Sequence, residues 1–370
     1  MCMRRFCPYI IFFTQTNKIS GGERSMLEIL SNLKDEMRIS VILPEGGELE
    51  ELIRENGINV IRIKDYRFFK IKRENIHNII FSIGEFFESI IKIRDLIKKK
   101  KVDILWTNSQ KAHIIGVFVK LLTGVRLVWH FRDILEGKNC FIINIFSLFP
   151  DRIIAISNAV RRQFLLKRKI YVIYNGMRIN EKIVKKIKGR FFKIGYVGQI
   201  ARWKGQMNFL KIMKEIEGAK GFIIGDVLFD ERDYYEELME FVNKEGLKDK
   251  VFFLGFKKDI LNYIYSMDIL VHLPLKPEPF GRVIMEAMAL GIPVISHRIG
   301  AIEEIMGNSG IIVEYNDLEE VKKWINEIMF DKRKREEIGK RERMIFTERY
   351  ASEKYIKNIK KVIREILKLT

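Results

Sequence analysis

The sequence predicts an α/β protein with two doubly wound domains, and three observations support this. Short apolar runs alternate along the chain with longer amphipathic segments, which is typical of parallel strands connected by helices. The apolar runs are nearly continuous, as expected for strands whose sheet is covered by helices on both faces. They form two successive series in a chain of 370 residues, which is too long for one ordinary core.

The apolar runs and the amphipathic segments between them define the predicted elements. The first series of strands comprises Tyr9–Thr14, Arg38–Leu43, Asn59–Ile63, Ile104–Thr107, Arg126–His130, Arg152–Ile156 and Tyr171–Ile173. The second series comprises Phe192–Val197, Gly221–Ile224, Val251–Leu254, Ile269–His272, Pro293–Ser296 and Ile311–Val313. Helical patterns lie between most of them, for example over Arg24–Leu33, Ile79–Lys98, Asn158–Leu166, Met207–Ile216 and Tyr234–Lys244, and a last helix covers Tyr350–Leu367.

The boundary between the two domains is predicted near Asn175–Arg190. Asn175-Gly176 is a turn signal, and the lysine-rich segment Lys182–Arg190 that follows has no strand pattern. We therefore expect an N-terminal domain over residues 1–176 and a C-terminal domain over residues 190–349. The last helix, at about residues 350–370, is expected to pack back on the first domain.

Charge and cysteine content narrow the functional classes. Lys and Arg number 67 against 48 Asp and Glu, which gives a formal net charge of +19. Such an excess favours anionic partners such as nucleic acid, anionic lipid or phosphorylated substrates, and says nothing about the fold. Three cysteines exclude a disulfide framework, and five histidines without paired spacing predict no structural metal site.

The N-terminal segment bears on where the protein acts. Its apolar run, Tyr9–Phe13, is short for a signal peptide, and no small-residue cleavage site follows it. No run approaches the roughly 20 apolar residues that span a bilayer. We therefore expect a buried first strand in a cytoplasmic protein.

The segment Pro277–Pro293 carries the most informative functional pattern. Pro279 disfavours the helical conformation at Glu278, so this carboxylate should lie in the loop before a helix. Gly281 allows a ligand to approach the helix start, where free amides and the helix dipole favour a phosphate. Glu286 follows on the same helix. Two carboxylates eight positions apart around a helix start could each bind sugar hydroxyls, with a diphosphate between them.

This segment closely resembles the Glu-x7-Glu motif of retaining glycosyltransferases, in particular glycosyltransferase family 4 with its two-domain GT-B fold. Pro-Phe-Gly between the glutamates and Ala-Met-Ala-x-Gly-x-Pro-Val after them make the resemblance specific. The resemblance implies that Glu278 hydrogen-bonds hydroxyls of the donor sugar. It also implies that the amides of Phe280 and Gly281 meet the diphosphate, and that Glu286 holds the ribose of the nucleotide.

A second segment matches the family in the expected order. Ile194–Gly205 looks like the family's strand and loop ending in Lys-Gly. This implies that Lys204 places its ammonium on the donor phosphates and offsets charge on the leaving nucleotide. The family usually has an arginine where this chain has Gln199, so one fixed cation is lost. Arg202 is a candidate to replace it.

Two elements of the N-terminal domain extend the resemblance. Ser20–Arg24 is similar to the family's Gly-Gly-x-Glu element, with Glu23 one place early. This similarity implies that Gly21 and Gly22 admit donor phosphate or acceptor. His130 ends a strand, which is where doubly wound folds bind ligands. The resemblance implies that His130 contacts the donor sugar near the reacting carbon.

Several neighbouring residues stay open between two interpretations. Arg24 either contacts phosphate or lies on a solvated helix face. Arg132 and Asp133 either bind acceptor or pair with each other, and Asn108 is a plausible acceptor-side residue. Tyr174–Gly176 resembles the family's Asn-Gly turn and is interpreted as hinge and structure.

The resemblance implies transfer of a sugar from a nucleoside diphosphate, UDP- or GDP-linked, to a hydroxyl acceptor with retention. Both glutamates lie on one helix and its entry loop, so they cannot flank the reacting bond as in glycosidases. The family's favoured mechanism is same-face displacement, in which the leaving phosphate takes the acceptor proton. No Asp-x-Asp motif occurs at a suitable place, so we expect no cofactor and no metal. Glu286→Ala or Lys204→Ala should abolish donor turnover and leave the fold intact.

Two alternatives remain. A nucleotide-sugar epimerase or hydrolase on the same fold would act on the donor without an acceptor. A nucleic-acid-binding protein is more distant, because its cations should form a stripe interleaved with aromatics. The lysines here are scattered over predicted helix faces, so we expect no nucleic-acid partner.

Basic clusters of the N-terminal domain favour an anionic membrane surface. Arg161, Arg162 and Lys167–Lys169 are interleaved with the apolar Phe164–Leu166. Near an anionic leaflet each cation adds about 1 kcal/mol of attraction. The interpretation is a peripheral enzyme on the inner face of the membrane, with a carbohydrate or lipid-linked acceptor, in cell-surface polysaccharide or glycolipid synthesis. The Lys and Ile richness could instead reflect a thermophile or an AT-rich genome.

Overall fold

A computed structural model of the chain describes residues 7–66, 76–179, 191–227 and 231–368, with the backbone alone for residues 76–82. The chain divides into two compact units. Unit 1 comprises Met1–Met177 and Ser352–Thr370, and unit 2 comprises Arg178–Ala351. The division follows Met177, one residue after the predicted end of the first domain. The predicted boundary segment Lys182–Arg190 lies outside the described residues.

Unit 1 is built on a seven-stranded sheet in which every pairing is parallel. Its strands are β1 Tyr9–Phe13, β2 Arg38–Pro44, β3 Asn59–Ile63, β4 Ile104–Thr107, β5 Arg126–Phe131, β6 Arg152–Ala155 and β7 Ile170–Val172. They are arranged in the order β3-β2-β1-β4-β5-β6-β7. Since this order reverses direction between β1 and β4, ligands are expected beyond the carboxyl ends of these two strands.

Helices accompany the first sheet. They are Gly21–Leu33, Glu48–Glu55, Ile76–Lys100, Gln110–Thr123, Gly137–Phe146, Asn158–Arg162 and Ser352–Leu367. The C-terminal helix is part of the unit 1 core, where Tyr355, Ile359 and Ile363 are buried in one cluster with Ile10 of β1. Unit 1 is therefore assembled from both ends of the chain.

Four helices of unit 1 differ in their ends from the sequence prediction. Two of them, Ile76–Lys100 and Ser352–Leu367, were predicted over Ile79–Lys98 and Tyr350–Leu367. The first helix of the chain begins at Gly21, three residues before the predicted Arg24, because Ser20 caps it and forms a capping box with Glu23. The helix that begins at Asn158 ends at Arg162 and does not reach the predicted Leu166.

Unit 2 repeats the architecture with a six-stranded sheet, again parallel throughout. Its strands are β8 Phe192–Val197, β9 Ala219–Ile224, β10 Val251–Phe253, β11 Ile269–His272, β12 Val294–His297 and β13 Ile311–Val313, in the order β10-β9-β8-β11-β12-β13. Its helices are Gln206–Glu215, Arg232–Lys244, Ile260–Ser266, Arg282–Leu290, Ile302–Met306, Leu318–Phe330 and Lys332–Arg349. The order reverses between β8 and β11, so the expected ligand site follows these two strands.

The predicted fold class is confirmed, and all thirteen predicted strands are present with ends within two residues of the prediction. Both faces of each sheet are covered, so the strands are apolar throughout and can be recognised in the sequence as continuous apolar runs. In β8, for example, five of the six residues are buried.

Candidate functional site

In unit 2, a single helical turn, Arg202–Lys204, follows β8 and is fixed by the loop after β11. The Tyr196 hydroxyl donates a hydrogen bond to the Lys204 carbonyl. Gly205 ends the turn with a φ of 82°, and a Cβ at this position would meet the Leu273 carbonyl oxygen at 2.1 Å. Only glycine fits such a close approach in the left-handed conformation. The turn therefore presents Lys204 at a defined place beside the loop after β11.

Glu278 lies in that loop, before the helix Arg282–Leu290, and is 8% exposed. Lys204 Nζ lies 2.8 Å from Glu278 Oε2, and His272 Nε2 lies 3.4 Å from the same oxygen. Burial by itself raises the pKa of Glu278, but the Lys204 ammonium and His272 outweigh it and hold that pKa well below its usual range. The carboxylate is therefore ionised at neutral pH.

His272 was missed as a site residue in the sequence. It ends β11 and is 2% exposed. Burial lowers the pKa of His272 although the nearby Glu278 opposes this, so the imidazole is neutral at neutral pH. The available signal was its place at the carboxyl end of a central strand, which is the same signal that identified His130.

The helix start after Glu278 has the predicted form. Gly281 precedes the helix with a φ of 80°. Phe280 is buried, and its ring packs edge to face on Tyr350 with centroids 5.9 Å apart. Within the described ranges, the amides of Phe280 and Gly281 have no hydrogen-bond partner. Two amides and the positive end of a helix are thus available to an anion.

Two other predicted residues of unit 2 are held by different side chains. Glu286 accepts a hydrogen bond of 2.8 Å from Nε of Arg282 on the same helix. Arg202 lies 2.7 Å from Glu237, and its guanidinium lies 4.8 Å from the centre of the Tyr234 ring. The structure thus brings Lys204 and Glu278 together, whereas Arg202 contacts a separate pair of residues. The ligand roles of Glu286 and Arg202 stay predictions.

In unit 1, His130 lies near the end of β5 and is fully buried. Its Nδ1 lies 3.2 Å from Nη2 of Arg132. Because a guanidinium only donates, Nδ1 accepts, and we assign the ring proton to Nε2. Burial, followed by the charge of Arg132, holds the pKa of His130 well below its usual range. The imidazole is therefore neutral, with an Nε2–H that can donate to a ligand.

Arg132 and Asp133 do not pair with each other. Arg132 donates to Asn108 Oδ1 at 3.0 Å and to Asn175 Oδ1 at 2.9 Å. Asp133 accepts from Gln110 Nε2 at 2.9 Å. The alternative that Arg132 and Asp133 pair with each other is therefore excluded, and the hypothesis that Arg132 binds acceptor remains.

Gly21 and Gly22 form the first turn of the helix Gly21–Leu33. A Cβ on Gly22 would lie 3.2 Å from Cδ of Arg132. Glycine at this position therefore lets the Arg132 side chain lie against the helix start. The structure brings Gly22, Arg132 and His130 together in unit 1.

The described part of the chain contains no group of three His, Cys, Asp or Glu side chains arranged to hold a metal ion. In the same ranges, no helix has the length and apolar character needed to cross a membrane.

Two family models match the chain. Glycosyltransferase Family 4 matches residues 19–181, and Glycosyl transferases group 1 matches residues 177–345. The chain belongs to the family 4 glycosyltransferases. The two matches meet where unit 1 passes into unit 2, and together they cover most of the chain. The resemblance read from the Glu-x7-Glu segment is confirmed.

Known proteins of this kind are similar over most of their length. The capsular polysaccharide biosynthesis glycosyltransferase CapM of Staphylococcus aureus is 25% identical over 374 residues, covering 89% of this chain and 90% of its own. The Escherichia coli UDP-Gal:alpha-D-GlcNAc-diphosphoundecaprenol alpha-1,3-galactosyltransferase is 25% identical, covering 81% of this chain and 82% of its own. The crystal structure of Anabaena HepE in complex with UDP and glucose has a TM-score of 0.84 at 25% identity, covering 96% of this chain and 98% of HepE. The GT-B fold is thereby confirmed.

Proposed function

We propose that this family 4 glycosyltransferase moves a sugar from a nucleoside-diphosphate donor to a hydroxyl acceptor with retention, in polysaccharide or glycolipid synthesis. The observation that carries the proposal is the buried pair of Lys204 and Glu278. Glu278 lies two residues before Phe280, and the amides of Phe280 and Gly281 have no partner among the described residues. The ammonium and the amides donate to phosphate oxygens, and the carboxylate accepts from sugar hydroxyls. A nucleoside-diphosphate sugar presents both kinds of group.

The chemistry of the pair supports separate roles for its two members. Lys204 carries three N–H groups, of which one is directed at Glu278, so others can meet the donor phosphates. A fixed cation there offsets the charge that develops on the leaving diphosphate. Glu278 is ionised and therefore accepts from a hydroxyl of the donor sugar. We assign the ribose to Glu286, whose orientation is fixed by Arg282.

The proposed reaction exchanges one bond for another at the anomeric carbon. The bond to the donor phosphate oxygen breaks, a bond to the acceptor oxygen forms on the same face, and the leaving phosphate takes the acceptor proton. His130 is proposed to donate its Nε2–H to a hydroxyl of the donor sugar. Its neutral form suits this role because it brings no charge to the reacting centre.

The relatives support UDP as the nucleotide. HepE is solved with UDP and glucose, and the E. coli relative is named for UDP-Gal and a lipid diphosphate acceptor. We therefore propose a UDP-sugar donor and a carbohydrate or lipid-linked acceptor. A panel of UDP- and GDP-sugars tested by thermal shift distinguishes the nucleotides. A ligand at 100 times its dissociation constant adds about 2.7 kcal/mol to the free energy of unfolding.

Turnover of an α-linked donor, followed by NMR of the product, tests the reaction. An α-linked product supports retention, and a β-linked product contradicts it. Glu278→Gln should lose at least about 100-fold in turnover, because it removes the charged acceptor at the donor site. The control Lys211→Ala removes an exposed lysine of the helix Gln206–Glu215 and should retain full turnover. Rapid hydrolysis or epimerisation of the donor without acceptor would favour the alternative enzymes.

We also propose that unit 1 binds an anionic membrane surface. An apolar patch is formed by the exposed side chains Phe141, Ile142, Ile145, Leu148, Leu165 and Leu166. Its two segments adjoin, because Asn144 accepts from the Leu165 amide at 2.8 Å and donates to the Gln163 carbonyl at 2.9 Å. Exposed Arg162 and Lys167–Lys169 flank the patch in sequence. Apolar side chains beside cations are typical of surfaces that meet anionic lipid.

Phe164, which the sequence grouped with these apolar residues, is buried instead. It is 1% exposed, and its ring packs edge to face on Phe131 with centroids 5.1 Å apart. The patch at this point therefore consists of Leu165 and Leu166.

Vesicle flotation tests the membrane proposal. The full chain should float with phosphatidylcholine vesicles that contain phosphatidylglycerol and much less with pure phosphatidylcholine vesicles. Leu165→Ser with Leu166→Ser should weaken flotation severalfold, whereas Phe330→Ser, at an exposed position of unit 2, should not. Equal flotation with both kinds of vesicle, or by both variants, contradicts the proposal.

A further inference from the structure

Three polar residues stand side by side where the central strands of unit 1 end. The parallel pairing of β1 with β4 and of β4 with β5 places Thr14, Asn108 and His130 at neighbouring positions. Adjacent strands are about 5 Å apart, so the three form a short row across the sheet. Thr14 and His130 are 0% exposed and Asn108 is 4% exposed. The row lies where the strand order reverses, the position expected for a ligand.

Each member of this row has a polar atom without a hydrogen-bond partner among the described residues. These atoms are Thr14 Oγ1, Asn108 Nδ2 and His130 Nε2. Asn108 Oδ1 and His130 Nδ1 already accept from Arg132, so the atoms left over on Asn108 and His130 are donors. A buried donor left without a partner has lost its hydrogen bonds to water without a replacement. The row is thus prepared for a ligand that supplies acceptors.

Arg132 adds a positive charge that no described carboxylate pairs with directly. Its hydrogen-bond partners, Asn108, Asn175, His130 and the hydroxyl of Tyr355, are all uncharged. Within the described ranges it has no ion pair with a carboxylate. By contrast, Arg282 of unit 2 is paired with Glu286. Because a partly buried cation is costly without a counter-ion, the site favours an anionic ligand.

The start of the helix Gly21–Leu33 lies beside this arginine. Arg132 lies against Gly22, where a Cβ would be 3.2 Å from Cδ of the arginine. The positive end of the helix therefore adjoins the guanidinium. The cation and the unpartnered donors favour negative charge, whereas the helix start is already capped by Ser20 and Glu23.

We propose that Arg132 and Asn108 bind a phosphate or carboxylate group of a substrate, next to the His130 Nε2–H. A guanidinium has five N–H groups, so at least one remains for the anion after the bonds to these four side chains. Two sources supply such a group: the diphosphate of the donor and an acidic acceptor. That the anion belongs to a substrate rests on the proposed function, whereas the anion site itself does not.

The resonances of the His130 ring, observed with selective 15N-histidine labelling of the full chain, report binding at this site alone. Inorganic phosphate should shift them in a saturable way. Arg132→Gln should weaken the phosphate affinity at least 10-fold. The control Arg94→Gln removes an equal charge from unit 1, where Arg94 is paired with Asp95, and should leave the affinity unchanged. Unmoved His130 resonances, or equal affinity in Arg132→Gln and the wild type, would overturn the proposal.

Asn108→Asp gives a second test that does not depend on the folding of Arg132→Gln. The new carboxylate keeps the shape of the side chain and supplies Arg132 with a counter-ion. Phosphate should then no longer shift His130, while the melting temperature is unchanged or higher. Phosphate affinity equal to that of the wild type contradicts the proposal.

A titration with UDP distinguishes the two sources. Displacement of phosphate from His130 by UDP assigns the site to the donor diphosphate, and simultaneous binding assigns it to an acidic acceptor. None of these measurements requires sugar transfer. A failed transfer assay would therefore contradict the proposed function and not the anion site, and an absent phosphate shift would contradict the anion site and not the proposed function.

Discussion

Lys204 and Glu278 hold each other in place inside unit 2. Their side chains are 14% and 10% exposed, and the ammonium lies 2.8 Å from the carboxylate. Removing one member of a buried pair leaves an uncompensated charge and costs about 3–5 kcal/mol. Lys204→Ala is therefore not the fold-neutral change that the sequence predicted, and a loss of turnover in that variant would combine two effects.

A comparison of Lys204→Met with Lys204→Met/Glu278→Gln separates these effects. We expect the single variant to lose about 3 kcal/mol in free energy of unfolding at pH 7 and the double variant to recover most of it. Urea unfolding measures both. Because the pKa of Glu278 is lowered in the folded protein, the ionised carboxylate adds stability at pH values above its ordinary pKa of 4.5. This stability is lost as the pH falls from 4.5 through the folded pKa. The deficit of the single variant should therefore shrink in acid, and equal deficits in both variants would refute the assignment.

The contribution of Glu342 to stability should depend on pH in the opposite direction. It is fully buried, its Oε1 accepts from the Val294 amide at 3.1 Å, and burial holds its pKa well above the usual range. A raised pKa gives stability that is complete below the ordinary value and is lost as the pH rises through the folded value. Glu342→Gln removes this proton dependence.

Glu342→Gln should therefore match the wild type at pH 4 and become more stable than it as the pH rises. The gain approaches about 1.4 kcal/mol per pH unit at most. Urea unfolding across this range measures it. Glu336→Gln, at an exposed position of the same helix, is the control and should show no such trend. A constant difference between Glu342→Gln and the wild type would contradict the prediction.

Some features of the site could be predicted from the sequence, and others depend on contacts that only the fold reveals. Glu278 and Lys204 stand in recognisable motifs, so both could be predicted individually. Their pairing could not, because 74 positions separate them and only the packing of two loops brings them together. The bond from Arg132 to Asn175 was missed for the same reason, whereas His272 had a local signal in its place at the end of β11. Tertiary contacts, and not local patterns, decide these partners.

At the scale of elements, the turn Arg202–Lys204 depends on one glycine. Gly205 has a φ of 82° and a Cβ there would lie 2.1 Å from a carbonyl oxygen of the neighbouring loop. Gly218 has a φ of 74° with nothing within 4 Å of a Cβ. The two glycines share the backbone conformation and differ in free space, which makes them a matched pair.

Gly205→Ala should destabilise unit 2 by several kcal/mol and weaken binding of UDP, because the turn must move away from the loop after β11. Gly218→Ala should cost only about 1 kcal/mol, the price of a left-handed alanine, and leave UDP binding unchanged. Urea unfolding and calorimetric titration with UDP measure these effects. Similar costs for the two changes would show that the contact with the loop is not limiting.

Element boundaries were less predictable than element types. The strands were found because their residues are apolar on both faces. The first helix begins earlier than its apolar pattern because the capping box of Ser20 and Glu23 outweighs the poor helix propensity of Gly21 and Gly22. Leu165 and Leu166 extended an apolar pattern but lie in an exposed segment after Arg162.

At the scale of the whole molecule, the C-terminal helix Ser352–Leu367 completes the core of unit 1. Tyr355, Ile359, Val362 and Ile363 are each at most 1% exposed. Burying a large apolar side chain contributes about 1.5–3 kcal/mol, and a domain is stable by only about 5–15 kcal/mol. Unit 1 therefore depends on this helix.

A chain ending at Ala351 should lose the structure of unit 1 and keep that of unit 2. Hydrogen exchange followed by mass spectrometry should show rapid exchange in β1 to β6 and continued protection in β8 to β13. A chain ending at Leu367 is the control and should exchange like the full chain. Protection of β1 to β6 in the shorter chain would contradict the role given to the helix.

The return of the C-terminal helix to unit 1 has a consequence for synthesis on the ribosome. The sheet of unit 1 emerges first, but its core is incomplete until residues 352–367 have left the exit tunnel. Unit 2 is contiguous and is fully translated by Ala351, before the helix that completes unit 1. The half of the enzyme that is made first is thus finished last, and its apolar surface is the one that chaperones would meet on the nascent chain.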